Sequence, residues 1–343
     1  MAMCFGLWLR IMRGRVMRRS GMIWPKGTKT SLWSSFPSAR PSTTSAPSPF
    51  RPSTTDAYIP SSGDDNHSSV TSLQLMFHYL KLGGSLITDK NQPLTPRPLI
   101  IQRLAREIAT AHRAHPERQF IIGHGSGSYG HVVGRKYAVR SGVKDVRGWR
   151  GFVETGYIAG QLNRVVLAAL LRAGLPVISL PPSALVHGVD GEIVQFHTQP
   201  IFNAINHGLI PLLFGDVAFD ETRGGVIVST EEVFAALADR LPPDRLTLAG
   251  VVDGVYTGDP LRDPSAERIP RIRIRDLAGL ADALGGSHGV DVTGGMATKV
   301  AAMAALIQRY PQLRVHLISG ERPGHLQRHL LEPDLPLGTT LLF

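Results

Sequence analysis

From Leu75 to the carboxyl end, short apolar segments alternate with segments that have helical periodicity. The runs LQLMFHYLKL, QFIIGH and LIPLLFGD each lead into glycine, and the segment from Pro98 to His115 has apolar residues at helical spacing with proline in its first turn. Strands separated by helices indicate a mainly parallel sheet that is covered on both faces. We therefore predict an α/β fold, a three-layer αβα sandwich around a mainly parallel central sheet.

Local signals predict further elements of this fold. A second long helix is expected from Phe152 to Ala173, and a β-hairpin is expected to turn at Asp190-Gly191. Ser229 and Glu232 have the spacing of a capping box, which predicts that a helix begins there. In such folds ligands bind at the carboxyl ends of the strands, and the glycines of this chain lie at those ends.

Composition and charge exclude several classes of protein. The 343 residues include one cysteine, Cys4, so neither a disulfide framework nor a cysteine-based zinc site is possible, and a reducing, cytoplasmic location is expected. No stretch approaches the roughly 18 apolar residues of a membrane-spanning helix. The formal charge is +10, but residues 1–75 hold nine basic and three acidic residues. The remaining chain is nearly balanced, so nucleic acid is not an expected partner.

The first 74 residues differ in composition from the rest. Serine, threonine and proline dominate between Thr28 and Ser69, which predicts disorder. The first 25 residues are rich in arginine and contain no acid. Three interpretations stay open for this extension, namely an organelle presequence, a functional basic tail, or translated upstream sequence ahead of a true start near Met76. The folded domain is expected to span residues 75–343.

Three glycine-rich turns are candidate anion sites. They are Gly83-Gly84-Ser85 after the first strand, Gly123 to Gly130 after the second, and Gly294-Gly295 before a late helix. Successive backbone N–H groups in such turns can hold an anion, and phosphate is the natural ligand. Each turn taken alone is equally compatible with an ordinary tight turn. Three such turns, each near a lysine or histidine, favour a phosphate-binding protein.

A dinucleotide-binding site is a weaker interpretation of the second turn. Gly125-Ser-Gly127-Ser-Tyr-Gly130 matches G-x-G-x-x-G, but a Rossmann site also needs an acidic residue at the end of the next strand. Asp145 has the required spacing but lies in a basic segment without a strand pattern. The Walker motif is absent as well, so a nucleotide has to be held in another way.

Five motifs in order resemble those of the amino acid kinase superfamily, and within it the isopentenyl phosphate kinase branch most closely. The resemblance covers about Leu75 to Phe343. The motifs are Lys81-Leu-Gly-Gly-Ser-Leu-Ile-Thr-Asp-Lys90, His124-Gly-Ser-Gly-Ser-Tyr-Gly-His131, Phe214-Gly-Asp216, Asp253-Gly-Val-Tyr256 and Gly294-Gly-Met-Ala-Thr-Lys299.

The resemblance implies transfer of the γ-phosphoryl group of ATP to isopentenyl phosphate, with Mg²⁺ on the nucleotide, in a homodimer of the amino acid kinase fold. It implies an acceptor-binding part of about 75–215 and a nucleotide-binding part of about 216–343. An acceptor phosphate is already anionic near neutral pH, so positioning and charge neutralisation suffice, and no base or protein-held metal is expected.

Site residues follow from the same resemblance. Lys90 is expected to stabilise the transferring phosphoryl group, and Asp216 to hold the lysines through ion pairs. His131 is expected to bind the acceptor phosphate together with Ser126, Gly127 and Gly215. The residues implied in ATP binding are Lys81, Gly83, Gly84, Ser85, Gly127, Asp253, Gly254, Tyr256, Gly294, Gly295 and Lys299.

Two departures from the family pattern leave open the acceptor, at Ser126, and the nucleotide contacts of the Ser229–Glu232 segment. Ser126 interrupts the usual three glycines, and Ser229-Thr-Glu-Glu232 replaces the Ser-Gly-Asp-Asp that is common in relatives. The helix that begins near Phe152, with Tyr157 and Ile158, is the expected apolar wall for the acceptor. Alternatives are a kinase for fosfomycin, an amino acid carboxylate or UMP, and a non-catalytic nucleotide-binding regulator. Retention of Lys81, Lys90, Lys299 and Asp216 together argues against the last.

Overall fold

The computed structural model describes residues 76–258, 263–277 and 294–343. The predictions for residues 1–74 therefore lie outside the described residues. Within those ranges the strands are β1 Met76–Leu82, β2 Arg118–His124, β3 Val177–Ser179, β4 Val186–Val189, β5 Glu192–Phe196, β6 Ile210–Phe214, β7 Asp216–Asp220, β8 Gly224–Val228, β9 Arg245–Gly250, β10 Val255–Tyr256, β11 Arg268–Ile269, β12 Arg271–Arg273, β13 Arg314–Ser319 and β14 Gly338–Leu342.

Helices cover the sheet. They are α1 Gly84–Ile87, α2 Pro98–Ala114, α3 Gly127–Tyr137, α4 Val146–Arg172, α5 Gln199–Asn206, α6 Thr230–Ala238, α7 Gly294–Arg309 and α8 His325–Leu331. Short 3₁₀ turns lie at Val139–Ser141, Pro182–Ala184 and Ile274–Asp276.

The central sheet has eight strands in the order β12-β14-β13-β9-β1-β2-β6-β3. Strand β1 lies near the middle and pairs in parallel with β2 and β9, with Lys81 opposite Gly123 on one side and Leu248 on the other. The pairing of β13 with β14 is antiparallel. The predicted mainly parallel sheet is thus confirmed, and the carboxyl ends of β1, β2 and β9 meet at one edge.

The two faces of this sheet bury separate apolar cores. Tyr79 of β1 packs with residues of α6 and α7, such as Phe234 and Met303. Leu80 points to the other face and packs with residues of α2 and α4, such as Leu104. Because successive side chains of a strand alternate between faces, β1 contributes to both cores. This arrangement is the predicted three-layer sandwich.

A second sheet has four strands in the order β5-β4-β7-β8. Its β4–β5 hairpin turns at Asp190-Gly191, as predicted, and both turn residues have positive φ. Strand β4 also pairs in parallel with β7. The division proposed at about residue 215 falls within this sheet, with β4 and β5 before it in the chain and β7 and β8 after it. A further short antiparallel pair joins β10 and β11.

Helix ends follow local capping chemistry. The predicted capping box is confirmed, since the Ser229 hydroxyl accepts from Glu232 N and the Glu232 carboxylate accepts from Ser229 N. The prediction that the long helix begins at Phe152 is wrong, because α4 begins at Val146. The Asp145 side chain caps it by accepting from Gly148 N at 2.7 Å. Asp145 therefore has a structural role as a helix cap, and its position does not require contact with the ribose of a dinucleotide.

Three buried histidines lie at the end of the central sheet opposite the glycine turns. The Thr247 hydroxyl is 2.8 Å from His78 Nε2 and 2.9 Å from His329 Nε2. The rings of His316 and His329 are 4.7 Å apart. Burial is the main cause that lowers all three pKa values, that of His78 to about 3 and that of His316 to about 4. This cluster belongs to the core.

Among the helices of the described ranges, none is both long and apolar enough to cross a bilayer.

Candidate active site

A cleft of about 640 Å³ opens at the carboxyl ends of β1, β2 and β9. Its wall combines lysines, glycine turns and a few apolar side chains. Residues lining it include Lys81, Gly83, Gly84, Ser85, Lys90, Gly125, Ser126, Gly127, Arg140, Gly215, Glu231, Gly250, Gly254, Tyr256, Met296 and Lys299. The fold therefore brings together residues from all five sequence motifs.

Three lysines face this cleft from different elements. Lys81 ends β1 and is 8% exposed, whereas Lys90 follows α1 and Lys299 lies in α7, both exposed. Although Lys299 keeps contact with solvent, protein atoms around it displace part of its water and lower its pKa, and the positive charges of Lys81 and Lys90 lower it further. Like charges affect each other in this way only at short range. The three ammonium groups thus share one electrostatic environment that attracts polyanions.

Lys81 is held by Glu231, the second residue of α6. The two form an ion pair in which both side chains are almost completely buried. Burial alone would raise the pKa of Glu231, but the charge and hydrogen bond of Lys81, with the charge of Lys299, outweigh it and lower that pKa. Glu231 is therefore ionised at neutral pH, and it fixes the ammonium group of Lys81 at the base of the cleft.

Asp216 does not make the ion pairs predicted for it. In the described ranges no lysine pairs with its carboxylate, which accepts from Ser183 N at 3.1 Å. Asp216 is 3% exposed, and burial raises its pKa. It begins β7 and ties that strand to the 3₁₀ turn at Pro182–Ala184. The prediction is corrected because α6, which lies beyond β8 in the chain, brings Glu231 to Lys81 instead.

The first two glycine turns are in direct backbone contact. A Cβ atom on Gly84 would lie 2.3 Å from Gly127 N, and one on Gly127 would lie 2.4 Å from Gly84 O. Gly127 also has φ of +50°, which favours glycine. Thr88 joins the turns, since its hydroxyl donates to Gly84 O at 2.7 Å and accepts from Ser128 N at 2.9 Å.

Ser126 lies between Gly125 and Gly127 at the start of α3. Its hydroxyl folds over the first turn of the helix, where a Cβ on Gly130 would lie 2.2 Å from Ser126 Oγ. Ser126 therefore does not fill the cleft as a bulky residue would. His131 lies in the same helix, but its side chain lies outside the described part of the structure. Its predicted contact with the acceptor stays a prediction.

The loop after β9 borders the other side of the cleft. Tyr256 O–H donates to Asp253 Oδ1 at 2.5 Å, and Arg322 lies 3.5 Å from the same carboxylate. A Cβ on Gly254 would lie 2.3 Å from Thr339 Oγ1, so this loop is packed against β14. Asp253 is thus engaged within the protein, whereas Gly254 and Tyr256 line the cleft. Gly294 and Gly295 begin α7, the helix that carries Lys299.

The predicted apolar wall at the start of α4 is corrected. Phe152 is buried with Val143 and Val217, away from the cleft. Its ring covers Gly225, where a Cβ would lie 2.7 Å from it. Tyr157 is 59% exposed, and Ile158 packs against the core on the α2 and α4 face. None of these three side chains lines the cleft, because Phe152 packs beside the second sheet, Ile158 packs on the central sheet and Tyr157 is exposed.

Sequence reasoning missed two charged residues of the site. Glu231 was visible only as an acid in the Ser229–Glu232 segment, without an assigned contact. Arg140, in the 3₁₀ turn after α3, also lines the cleft, and its Nη2 lies 3.0 Å from Glu232 Oε1. No local pattern distinguishes Arg140 from the other arginines of its basic segment. Its position depends on how that turn packs beside β8.

Comparison with known proteins assigns this cleft to a family. The family model described as "Amino acid kinase family" matches residues 80–319, which include all five motifs completely. The chain belongs to the amino acid kinase family. The match covers the lysines, the glycine turns and Glu231 alike, so the cleft described above is part of the shared domain.

Relatives within the amino acid kinase family match over nearly their whole length. An isopentenyl phosphate kinase of Methanothermobacter thermautotrophicus is 34% identical over 75% of this chain and 96% of its own. An isopentenyl phosphate kinase of Methanocaldococcus jannaschii is 30% identical over 75% of this chain and 95% of its own. A crystal structure of isopentenyl phosphate kinase matches with a TM-score of 0.65 and 29% identity over 77% of this chain and 99% of that one.

Proposed function

We propose that this chain transfers the γ-phosphoryl group of ATP to isopentenyl phosphate and releases isopentenyl diphosphate and ADP. One observation carries the proposal, namely that Lys81, Lys90 and Lys299 share one cleft with two glycine turns in backbone contact. Such a cleft suits two phosphate groups that face each other. Similarity to isopentenyl phosphate kinases over nearly the whole length of those relatives supports this acceptor over fosfomycin.

The reaction needs positioning and charge neutralisation rather than a base. An oxygen of the acceptor phosphate attacks the γ-phosphorus, the bond from that phosphorus to the bridging oxygen of the β-phosphate breaks, and ADP leaves with the electron pair. The attacking oxygen is already anionic, so no proton has to be removed. Three ammonium groups in a partly water-excluded cleft reduce the repulsion between the two anions.

The side chains of the cleft divide this work. Lys90 is assigned to the transferring phosphoryl group, and Lys81 and Lys299 to the phosphates of ATP. Glu231 keeps Lys81 in place. Gly83, Gly84 and Ser85 allow close approach of the nucleotide phosphates, whereas Tyr256 and Gly254 border the nucleoside. The N–H groups around Ser126 and Gly127, with Gly215 and His131, are assigned to the acceptor phosphate.

The described residues do not form a protein-held metal site. In those ranges no group of three or more histidine, cysteine, aspartate or glutamate side chains is placed to hold an ion. The carboxylate that lines the cleft, Glu231, is already paired with Lys81. Magnesium usually binds through substrate phosphates with few protein ligands. We therefore assign Mg²⁺ to the nucleotide phosphates and derive no step from it.

Assembly as a homodimer is part of the proposal. Apolar side chains are exposed along α4, among them Val153, Tyr157 and Leu171 at 54%, 59% and 50%. Such side chains on one long helix suit burial against a second copy. Sedimentation velocity over a range of concentrations tests this. A monomer at micromolar concentration would contradict it without affecting the catalytic proposal.

An acceptor screen tests the activity. The purified full-length chain is incubated with Mg-ATP and one acceptor at a time, and ADP release is followed for isopentenyl phosphate, dimethylallyl phosphate, fosfomycin, acetylglutamate and UMP. We expect the highest kcat/KM with isopentenyl phosphate, and product mass must increase by one phosphoryl group. The Lys90→Ala variant is assayed in parallel, and any ADP release that it retains at the wild-type level is attributed to contaminating kinases. Preference for fosfomycin, acetylglutamate or UMP would overturn the proposed acceptor, and nucleotide binding without turnover would favour a regulator.

A further inference from the structure

A chain of buried hydrogen bonds runs from β3 through α4 to the second glycine turn. Ser179 Oγ donates to Asn163 Oδ1 at 2.6 Å, and Asn163 Nδ2 lies 3.1 Å from His124 Nε2. His124 Nδ1 lies 3.1 Å from Gly125 O. His124 and Asn163 are 1% and 2% exposed, so water does not replace these contacts.

The order of these bonds fixes the proton on the His124 ring. A carbonyl oxygen only accepts, so Nδ1 must carry the proton and donate to Gly125 O. In a neutral imidazole, Nε2 is then the hydrogen-bond acceptor. Asn163 supplies the matching donor, because its Nδ2–H faces Nε2 of His124 while its Oδ1 accepts from Ser179 Oγ. Burial, together with the charge of Lys81, lowers the pKa of His124 to about 4. The ring is therefore neutral at physiological pH.

Several contacts hold this ring and its backbone rigidly. The ring stacks on Phe214 with centroids 5.5 Å apart and planes within 7°. The His124 carbonyl accepts from Gly215 N at 3.1 Å and from Thr230 Oγ1 at 2.7 Å. The position of His124 is thus set by β6 and the start of α6, so the direction in which Nδ1–H points is set as well.

The bond to Gly125 O has a consequence for the cleft. In a trans peptide the carbonyl and the following N–H point in opposite directions, and the described chain has no cis peptide. Drawing Gly125 O toward the buried ring therefore turns the N–H of Ser126, a residue that lines the cleft, away from that ring. Within the described ranges this N–H has no hydrogen-bond acceptor. A reversed peptide would present a carbonyl to an incoming anion instead.

We infer that Asn163 and Ser179 are positioning residues that hold His124 in its Nδ1–H form, so that the Gly125–Ser126 peptide presents its N–H to the acceptor phosphate. This inference rests on the proposed function for the identity of the anion. It explains why buried polar side chains occupy the otherwise apolar layer between β2 and α4. Neither residue touches the substrate, and both act through the peptide that does.

Isosteric replacements of His124 separate this role from simple packing. Asparagine places an amide nitrogen near the position of Nδ1, so His124→Asn retains the donor to Gly125 O. Glutamine places its amide near Nε2, so His124→Gln retains only the contact with Asn163. We expect KM for isopentenyl phosphate to rise at least about tenfold in His124→Gln and less than about threefold in His124→Asn, because a lost bond to a charged group costs about 10- to 100-fold. Equal effects, or the reverse order, would overturn the inference.

Variants of the more distant residues complete the test. Asn163→Leu is expected to raise KM for isopentenyl phosphate about tenfold with KM for ATP changed less than about twofold. Ser179→Ala, at a partly exposed position, is expected to have a smaller effect in the same direction. Thr155→Val is the matched control, since Thr155 is buried in the same helix and donates only to Gly151 O. An unchanged acceptor KM in Asn163→Leu and Ser179→Ala would overturn the inference.

A tautomer measurement keeps the two proposals apart. In ¹⁵N-labelled full-length protein, the nitrogen shifts of His124 report directly which ring atom is protonated, with His124→Asn identifying its signals. We expect the Nδ1–H form in the wild type and a mixture of forms in Asn163→Leu. The Nε2–H form in the wild type would overturn the inference. This measurement needs no substrate, so a failure to phosphorylate isopentenyl phosphate would contradict only the proposed function.

Discussion

Lys81 at the end of β1 is paired with Glu231 at the start of α6, although the two residues are 150 positions apart in the chain. The pair joins the first strand of the central sheet to the helix that follows the second sheet. Both side chains are close to fully buried, so the pair is a fixed part of the cleft floor. Its carboxylate offsets one of three positive charges while the cleft is without its anionic substrates.

Glu231→Gln is expected to destabilise the protein and to impair ATP use. Removing one partner of a buried pair leaves an uncompensated charge, which typically costs about 3 kcal/mol or more. We expect the free energy of unfolding to fall by that order, and saturating Mg-ATP to restore part of it because phosphate oxygens replace the lost carboxylate. Denaturant unfolding with and without ATP measures both effects.

Glu232→Gln is the control for that experiment. Its carboxylate is 40% exposed and pairs with Arg140, which is 65% exposed, and a glutamine at N3 can still accept from Ser229 N in the capping box, so the change should cost less than about 1 kcal/mol. Equal losses in the two variants would contradict a special role for Glu231.

Lys90→Ala is expected to lower kcat by about 10²- to 10³-fold with little change in the affinity for ATP. An interaction that forms mainly in the transition state affects kcat more than ground-state binding. Steady-state kinetics together with calorimetric ATP titration measures the two quantities. Lys144→Ala is the control, since Lys144 is exposed and is not among the residues that line the cleft. Unchanged turnover would remove Lys90 from the mechanism.

Gly127→Ala is expected to abolish activity and to destabilise the fold. A methyl group there would lie 2.1 Å from Thr88 Oγ1, in a backbone conformation with φ of +50°. Gly160→Ala is the matched control, because no atom lies within 4 Å of its Cβ position in the middle of α4. That change should stabilise the helix by about 0.5 to 1 kcal/mol. Thermal unfolding and turnover of both variants test the pair of expectations.

Stability is expected to decrease on acidification because of the buried histidines. The pKa of His78 is lowered to about 3 and that of His316 to about 4 in the folded state, below the unfolded value of 6.5. The unfolded chain therefore takes up protons first. The contribution of the two histidines to the free energy of unfolding is fully present above about pH 6.5. It is lost as the pH falls toward 4 for His316 and toward 3 for His78, by up to about 1.4 kcal/mol per pH unit for each histidine.

Denaturant unfolding at pH 7.5, 6.0 and 5.0 measures this slope. His316→Gln should reduce the slope by about one proton, whereas the same change at the exposed His207 on the protein surface should not. A slope that is identical in wild type and His316→Gln would contradict the assignment of the acid sensitivity to this cluster.

Much of the fold follows from local patterns. The apolar run around Tyr79, the hairpin at Asp190-Gly191 and the capping box at Ser229 and Glu232 depend on neighbouring residues, and their elements are where the sequence predicts them. The start of α4 differs from the predicted Phe152, because the cap formed by Asp145 places it at Val146. Its neighbours Val146, Arg147 and Gly148 give only a weak helical pattern.

The sequence predicts the glycine turns and lysines of the site, but it does not predict which charged residues form ion pairs. Glycines at strand ends indicated a phosphate site, and the parallel sheet explains why Gly84 and Gly127 meet. No local rule, however, could pair Lys81 with Glu231 in preference to Asp216, since both acids lie near strand ends or helix starts. Which of the two acids reaches Lys81 depends on the length and direction of their side chains once the second sheet has packed. The outward position of Tyr157 depends on the same packing.

The contact between Gly84 and Gly127 leaves no room for a single methyl group, so the two turns to which the proposal assigns the phosphates of donor and acceptor are packed directly against each other through their main chain. The separation of donor and acceptor is then a property of the main chain itself. Side chains around the rim can be exchanged to admit a different molecule without altering how far a phosphoryl group has to travel. A scaffold of this kind allows the substrate to diversify while the transfer step is preserved.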